Sequence, residues 1–399
     1  MKKFALLTAV TLIIILLTAC GRTDTLQKAE VITVNTAQND PGYVAGEDYQ
    51  QNWNDWGSDI GQLSAASEDG YYYFDRFGDA LLHFYDFASG QSVVLCNQPN
   101  CDHKSVDCNA TVSGMEMFVQ YLQFYDGNLY LIGTTNGLSQ DVSVWRVSAD
   151  GTVRGHVGNV MTISNGGSFH CVIHRGYVYC TLGSDEPENN REVPIYRLSL
   201  SGDGEVEEIH TLDRAHGAGA FLKAYGNHLY INHFYYTDRE GNGDCGDLYQ
   251  MDIHTGEIDY LTQTPGKPYV VDGNRVYYSG NEQVLTYDLN TGETSVLLDQ
   301  GPVFLTLDAD RLYVDNEFYV WLFTDNDYTQ RTVTVIDTNT LETLAVFPVT
   351  IHNSNFGGSS DGHVLADTTY EYYRGDLSTA LSGAEPQWVH INPKAEEGS

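Results

Sequence analysis

Short aromatic strands that follow polar turns recur along most of the chain. Each copy begins with Asp, Gly or Asn and continues into alternating apolar residues, as in EDGYYYF at 68 and DGNRVYY at 272. A second pair of strands, which turns through Ser-Gly, Asp-Gly or Thr-Gly in most copies, follows each of the first six. Such turns need the positive φ that tight hairpins impose. The pattern predicts units of about four antiparallel strands.

The spacing of these units predicts the architecture. The second position of each aromatic strand recurs at intervals of 36 to 58 residues, at Tyr72, Tyr130, Tyr179, Tyr230, Tyr277, Tyr313 and Leu365. A repeat near fifty residues with about four strands is typical of a β-propeller. We therefore expect an all-β propeller of about seven four-stranded blades over residues 51–399. Six and eight blades are the alternative counts, because the first and last units are irregular.

A different pattern marks the N-terminus. Lys2 and Lys3 precede an apolar run at 4–17 that is short for a membrane span. Leu-Thr-Ala-Cys then ends at Cys20, and this resembles the lipobox of bacterial lipoproteins. The resemblance implies that residues 1–19 are a signal peptide and that a diacylglyceryl group is added to the Cys20 sulfur. The alternative is an uncleaved membrane helix.

Two acyl chains hold a protein stably at a bilayer, so Cys20 would supply the membrane contact. The polar and poorly periodic residues that follow predict a tether over 20–50. The sequence thus predicts an exported protein anchored to the outer face of the cytoplasmic membrane.

The acidic composition of the chain limits the classes of partner that it can bind. The chain has 20 Lys and Arg against 54 Asp and Glu, a formal net charge of −34. Such a field repels phosphate backbones, so we expect no nucleic-acid partner. Acidic surfaces also attract divalent cations, so calcium is a candidate ligand. The alternative is that the charge only keeps the protein soluble.

The densest local motif is CNQPNCDHKSVDC, between the first two predicted blades. Its three thiols and one imidazole, Cys96, Cys101, His103 and Cys108, are the donor set of a tetrahedral Cys₃His zinc site. We expect Cys101 and His103 to face the same side of an extended segment. The alternative is a disulfide within the loop. Either would be structural, because four protein ligands leave no position for a substrate.

This motif also carries a resemblance. Leu95-Cys96, Cys101-Asp102-His103 and Cys108-Asn109-Ala110 resemble the corresponding stretches of β-propeller surface lipoproteins of unassigned function from gut-type Gram-positive bacteria. The resemblance implies a propeller at the cell surface and implies no reaction.

A weaker motif, DREGNGDCGD, lies in the fourth predicted blade. Asp238, Glu240 and Asn242 alternate as the first ligands of a calcium loop do, and Asp247 could replace the missing glutamate. A solvated acidic hairpin is the competing interpretation.

The sequence favours a non-catalytic binding or scaffolding module that recognises an unknown glycan, peptide or protein through one propeller face. The alternative is an extracytoplasmic polysaccharide-acting enzyme, a glycoside hydrolase or lyase. Such an enzyme needs two carboxylates that face each other. The candidates lie in long loops: Asp185, Glu188, Asp238 and Asp325.

Replacing Cys20 with Ala should abolish lipidation, because no thiol remains to be acylated. We expect uncleaved precursor, or protein released into the medium, when cells are fractionated and blotted. Cys245→Ala serves as the matched control and should fractionate like the wild type. Mature-sized Cys20→Ala protein that stays with the membrane would contradict the lipoprotein interpretation.

Overall fold

The structure is a computed structural model, and it describes part of the chain. It describes residues 42–391 apart from 45, 55–61, 76–79, 136–138, 165–166, 203, 265–268, 309, 318–330, 352–353 and 369–370. The predicted signal peptide, Cys20 and the candidate carboxylate Asp325 lie outside the described residues.

The described residues form 27 strands, which fall into antiparallel sheets. The first two sheets comprise β1 (Ser64–Ala66), β2 (Gly70–Asp75), β3 (Leu81–Asp86) and β4 (Gln91–Val94), then β5 (Met117–Tyr125), β6 (Asn128–Thr135), β7 (Ser139–Ser148) and β8 (Arg154–Ser164). A seven-stranded sheet comprises β9 (Phe169–His174), β10 (Tyr177–Leu182), β11 (Asn190–Ser199), β12 (Glu207–Tyr225), β13 (His228–Tyr236), β14 (Asp244–Asp252) and β15 (Ile258–Thr264). The next sheet comprises β16 (Tyr269–Val271), β17 (Arg275–Ser279), β18 (Val284–Asp288) and β19 (Thr294–Leu298). The last two comprise β20 (Phe304–Asp308), β21 (Arg311–Asp315), β22 (Thr332–Asp337) and β23 (Thr343–Pro348), then β24 (Asn355–Ser360), β25 (His363–Asp367), β26 (Tyr372–Asp376) and β27 (Val389–His390).

The seven-stranded sheet is two blades joined by one long strand. The first half of β12, as far as His216, pairs with β11, and its second half, from His216 to Tyr225, pairs with β13. The same strand is therefore the outermost strand of blade 3 and the innermost of blade 4. The prediction of an all-β propeller with seven four-stranded blades is confirmed within the described residues.

Tight turns join the first two strands of each blade. In blade 2, Asp126 and Gly127 take φ values of +45° and +66° between β5 and β6. Two successive residues with positive φ define the type I′ turn, whose twist matches that of the flanking strands. The Asp-Gly pair in the sequence is suited to both positions.

The core lies between the blades, where tyrosine rings pack. Blades 1 and 7 meet through a cluster that includes Tyr71, Tyr73, Leu365 and Tyr372. The ring centroids of Tyr73 and Tyr372 lie 4.7 Å apart, and the Tyr372 hydroxyl donates to the Phe74 carbonyl at 3.1 Å. Each of these two blades is built from contiguous strands. The ring therefore closes through side chains, without exchange of a strand.

A short helix, α1 (Gln51–Asn54), contacts the innermost strands of four blades, β1, β5, β20 and β24. The Gln51 side-chain amide donates to the Val271 carbonyl at 2.6 Å and accepts from the Val271 amide at 3.2 Å. Asn54 does the same with Phe124, at 3.0 and 2.7 Å. Each side chain satisfies a backbone donor and acceptor of an innermost strand, so the helix covers the channel at the face of the first turns.

The residues before α1 extend this cover. Asp48 is buried and pairs with Arg175, with 2.6 Å between Oδ1 and Nε, while its Oδ2 accepts from the Gly226 amide at 2.9 Å. The Tyr49 amide donates to Nδ1 of His174 at 3.0 Å. Gly42, Asp48 and Tyr49 therefore contact the propeller body, although they belong to the segment predicted as a tether.

Two other helical segments are short. A 3₁₀ turn spans Ser113–Met115, and α2 spans Leu377–Leu381. The Asp376 side chain caps α2 by accepting from the Thr379 amide at 2.7 Å. Among the described residues, no helix has the length and apolar character to cross a bilayer.

Candidate metal centre

The cysteine motif lies in the connection from β4 to β5, which joins blades 1 and 2. Apart from the 3₁₀ turn at its end, this connection consists of turns and irregular backbone. Side chains and hydrogen bonds must therefore fix its conformation.

The four predicted ligands converge. The Sγ atoms of Cys96, Cys101 and Cys108 and one ring nitrogen of His103 all lie within 4.8 Å of one another. Nδ1 of His103 lies 3.5 Å from the Cys108 sulfur. Metal bonds of about 2.0–2.3 Å place tetrahedral ligand atoms roughly 3.5–3.8 Å apart, so a small contraction would complete a metal site. Within the described residues, this group lies close enough together to be a candidate for metal binding, and its thiols are free.

The reason for this convergence differs from the prediction. Cys101 and His103 do not share an extended segment, because His103 has a φ of +58° and Asn100 a φ of +59°. Asn and His are among the residues that occupy this left-handed region more readily than most. Two left-handed residues turn the loop back on itself and bring the imidazole to the sulfurs. Asp102 is exposed and accepts from the Lys104 amide at 3.2 Å, so it faces away from the sulfurs.

Backbone amides surround the sulfurs. Burial opposes ionisation of Cys96, but hydrogen bonds from the Gln98 and Asn109 amides outweigh it, and the pKa of Cys96 is lowered. Burial raises the pKa of Cys108, and the neighbouring sulfurs raise it further, although the Ala110 amide acts in the opposite direction. Three thiolates this close repel one another, so a bound cation would stabilise them together.

Blade 2 holds the loop from outside. The guanidinium of Arg154 donates to the carbonyls of Cys108 at 2.6 Å, Thr111 at 3.0 Å and Val106 at 2.7 Å. One arginine thus fixes the backbone around a predicted ligand.

Asn109 adds a second link to blade 2. The side-chain amide of Asn109 donates to the Gly151 and Thr152 carbonyls at 2.9 and 3.0 Å. A Cβ at Gly151 would lie 2.9 Å from the Cys96 amide nitrogen, so glycine permits this close approach.

Blade 1 holds the other side. The Leu82 amide donates to the Ala110 carbonyl at 2.8 Å, and Thr111 forms an isolated bridge with Leu81. Cys108 and Ala110 are buried in the apolar cluster between blades 1 and 2. The loop is therefore bonded to both blades and connects them mechanically.

The arrangement can hold a metal ion with four protein donors. Such a set fills a tetrahedral shell and leaves no position for a substrate, which suits a structural role. The convergence of His103 with the sulfurs favours metal binding over a disulfide, because a disulfide needs two sulfurs and no imidazole.

The remaining cysteines are placed differently. Cys171 and Cys180 lie directly opposite each other on β9 and β10, and both are buried. Cys245 is half-buried on β14, opposite Tyr235. None of these three belongs to the metal cluster.

The predicted calcium loop is arranged around its own hydrogen bonds. Oδ1 of Asp238 accepts from the Glu240 and Asn242 amides at 3.0 and 3.1 Å, and the Asn242 side chain donates to Oδ2 at 2.9 Å. Asp247 lies on β14 and accepts from the Tyr235 hydroxyl at 2.9 Å. The site stays a prediction, and this geometry matches the alternative of a solvated acidic hairpin.

The candidate catalytic carboxylates are engaged locally. Asp185 pairs with Arg191 at 2.7 Å and accepts from the Asn189 side chain at 2.9 Å. Glu188 is exposed in the same loop. Asp238 is bonded as described above. The structure thus shows local loop roles for two of these carboxylates.

Sequence reasoning missed Arg154. It lies 46 residues beyond Cys108, in the last strand of blade 2, and no local motif marks it. Its role depends on the register between β7 and β8, which brings the end of blade 2 beside the loop.

Comparisons with known proteins support the fold. No protein-family model and no curated protein matches the chain. A prolyl endopeptidase structure is similar at a TM-score of 0.53 and 13% identity, over 85% of this chain and 50% of that one. A puromycin-hydrolysing peptidase from Mycobacterium tuberculosis is similar at 0.52 and 12%, over 90% and 57%. A puromycin hydrolase is similar at 0.51 and 14%, over 88% and 57%. This chain spans 50–57% of the length of these structures, and at such identities the likeness shows the propeller fold alone.

If the cluster binds a metal, protein purified without chelator should contain about one equivalent by elemental analysis. Cys108→Ser should lose most of it, while Cys245→Ser keeps it. Stripping the metal should lower the free energy of unfolding, by about 4 kcal/mol when the free ion had been at a thousandfold excess over its dissociation constant. Protein without metal, in which two of the three loop cysteines (Cys96, Cys101 and Cys108) resist thiol labelling until a reductant is added, would instead establish a disulfide.

Proposed function

We propose that the chain is an exported, lipid-anchored β-propeller that binds a ligand or partner at the cell surface without catalysing a reaction. The propeller fold supplies a rigid body, and loops on one of its faces supply recognition. The resemblance to surface lipoproteins of gut-type Gram-positive bacteria supports this location.

The single observation that carries the non-catalytic part of the proposal is the convergence of Cys96, Cys101, His103 and Cys108 in a connection bonded to two blades. We assign this site to structural zinc, because three thiolates and one imidazole form a donor set that Zn²⁺ prefers. A closed site of this kind stabilises a loop and performs no chemistry on a substrate.

The length of chain between Cys20 and the propeller limits how far the body can lie from a lipid anchor. Gly42 lies on the face of the first turns, where its carbonyl accepts from Arg175. Cys20 precedes Gly42 by 22 residues, which span at most roughly 75 Å when extended. With a lipid on Cys20, the propeller could therefore lie up to about that distance from the bilayer.

The non-catalytic assignment is supported by the carboxylates. A glycan-cleaving site needs two carboxyl groups that flank one bond. Asp185 is bonded to Arg191, and Asp238 to the backbone and side chain of its own loop. Those contacts hold each of the two side chains within its own loop.

Incubating the purified lipoprotein with a panel of polysaccharides separates binding from cleavage. We expect retention of the protein on at least one polysaccharide and no new product by mass spectrometry. Heat-unfolded protein is the control and should not be retained. Oligosaccharide products that increase with protein concentration and disappear on unfolding would contradict the non-catalytic assignment and establish the enzyme.

A further inference from the structure

An open groove of about 680 Å³ lies beside the metal loop. Met115 and Glu116, which end the loop, form one wall, and residues of blade 2 form the rest. Glu116 and Thr135 lie at the start of β5 and the end of β6, away from the turn at Asp126 and Gly127. The groove therefore lies toward the face opposite the N-terminal helix.

The floor of the groove includes an aromatic pair. Trp145 on β7 is half-buried and lies opposite His156 on β8, with ring centroids 5.2 Å apart and planes 54° apart. Trp145 also packs against the cluster between blades 1 and 2, so its ring is fixed from behind. A fixed indole offers a flat apolar surface to the C–H face of a sugar ring.

Polar groups around the aromatic pair are held in place by one another. Nε2 of His156 lies 3.0 Å from the Ser143 hydroxyl and 3.2 Å from Oδ1 of Asn159. The Asn159 amide donates to Asp141 at 3.3 Å. His156 and Asn159 are both exposed, so this chain presents oriented donors and acceptors to the solvent side. Such a mixture suits hydroxyl groups, which both donate and accept.

The charges around the groove exclude anionic ligands. The described residues that line the groove include no Lys or Arg, and the net charge of −34 repels anions. Arg154, two residues before His156, is committed to three loop carbonyls. Glu116 is the one carboxylate in the lining, and Asp141 lies outside it, so most of the described lining is uncharged. A neutral ligand with many hydroxyl groups fits best.

We infer that this groove is a binding site for a neutral saccharide and that the metal-bound loop builds its wall. The inference rests on the proposed binding function and adds the site and the ligand class. It also couples the two features, since Met115 and Glu116 follow directly from the segment that Cys108 and Arg154 hold in place.

The test uses the full lipoprotein and an array of neutral glycans, with titration of any that binds. We expect Trp145→Ala to weaken binding at least tenfold, because the stacking surface is removed. Asn159→Ala, an exposed change that spares the core, should weaken it severalfold. Tyr260→Ala removes an exposed aromatic side chain from blade 4, away from the groove, and should leave binding unchanged. Removing the metal should also weaken binding.

The outcomes of these experiments test the groove, the ligand class and the non-catalytic function separately. Binding of a neutral glycan that is unaffected in both Trp145→Ala and Asn159→Ala would overturn the groove and leave the binding function intact. Binding of charged glycans alone would overturn the ligand class. Cleavage of the bound glycan would overturn the proposed non-catalytic function, whatever the groove does. Failure to bind any glycan on the array would overturn the saccharide inference.

Discussion

Closure of the ring is the constraint on which the rest of this structure depends. A four-stranded blade is apolar on both faces, so each blade is stable only between two neighbours. Here the first and last blades meet through tyrosine rings and a few hydrogen bonds, with no shared strand. The segment before blade 1 reinforces the ring, because α1 contacts the innermost strands of four blades. Packing between blades and the N-terminal cover together hold the circle.

Long irregular connections lower the stability of such a ring, because ordering each residue costs about 1–2 kcal/mol of conformational entropy. The connection between blades 1 and 2 is long, yet it is bonded to both blades through Ala110, Asn109 and Arg154. A metal at the cysteines would offset more of the entropy by tying four positions together. The ordered loop then becomes usable surface, and its end forms one wall of the groove.

The sequence predicted the repeat well, since alternating aromatic residues and turn pairs are local signals with a regular period. It missed what depends on distant partners. Asp48 lies in the predicted tether, but it is buried because Arg175 pairs with it. Gln51, at the predicted start of the propeller, is buried because its side chain bonds to Val271. The metal donors were identifiable from their types and spacing. Their convergence depends on a left-handed His103 and on Arg154, which no local pattern reveals.

We propose that a metal bound by three thiolates and one imidazole orders the loop between blades 1 and 2. X-ray absorption at the zinc edge on the purified protein tests it most directly. The account predicts a first shell of three sulfur atoms at about 2.3 Å and one nitrogen at about 2.0 Å. A shell of oxygen and nitrogen without sulfur, or the absence of bound zinc, would contradict it.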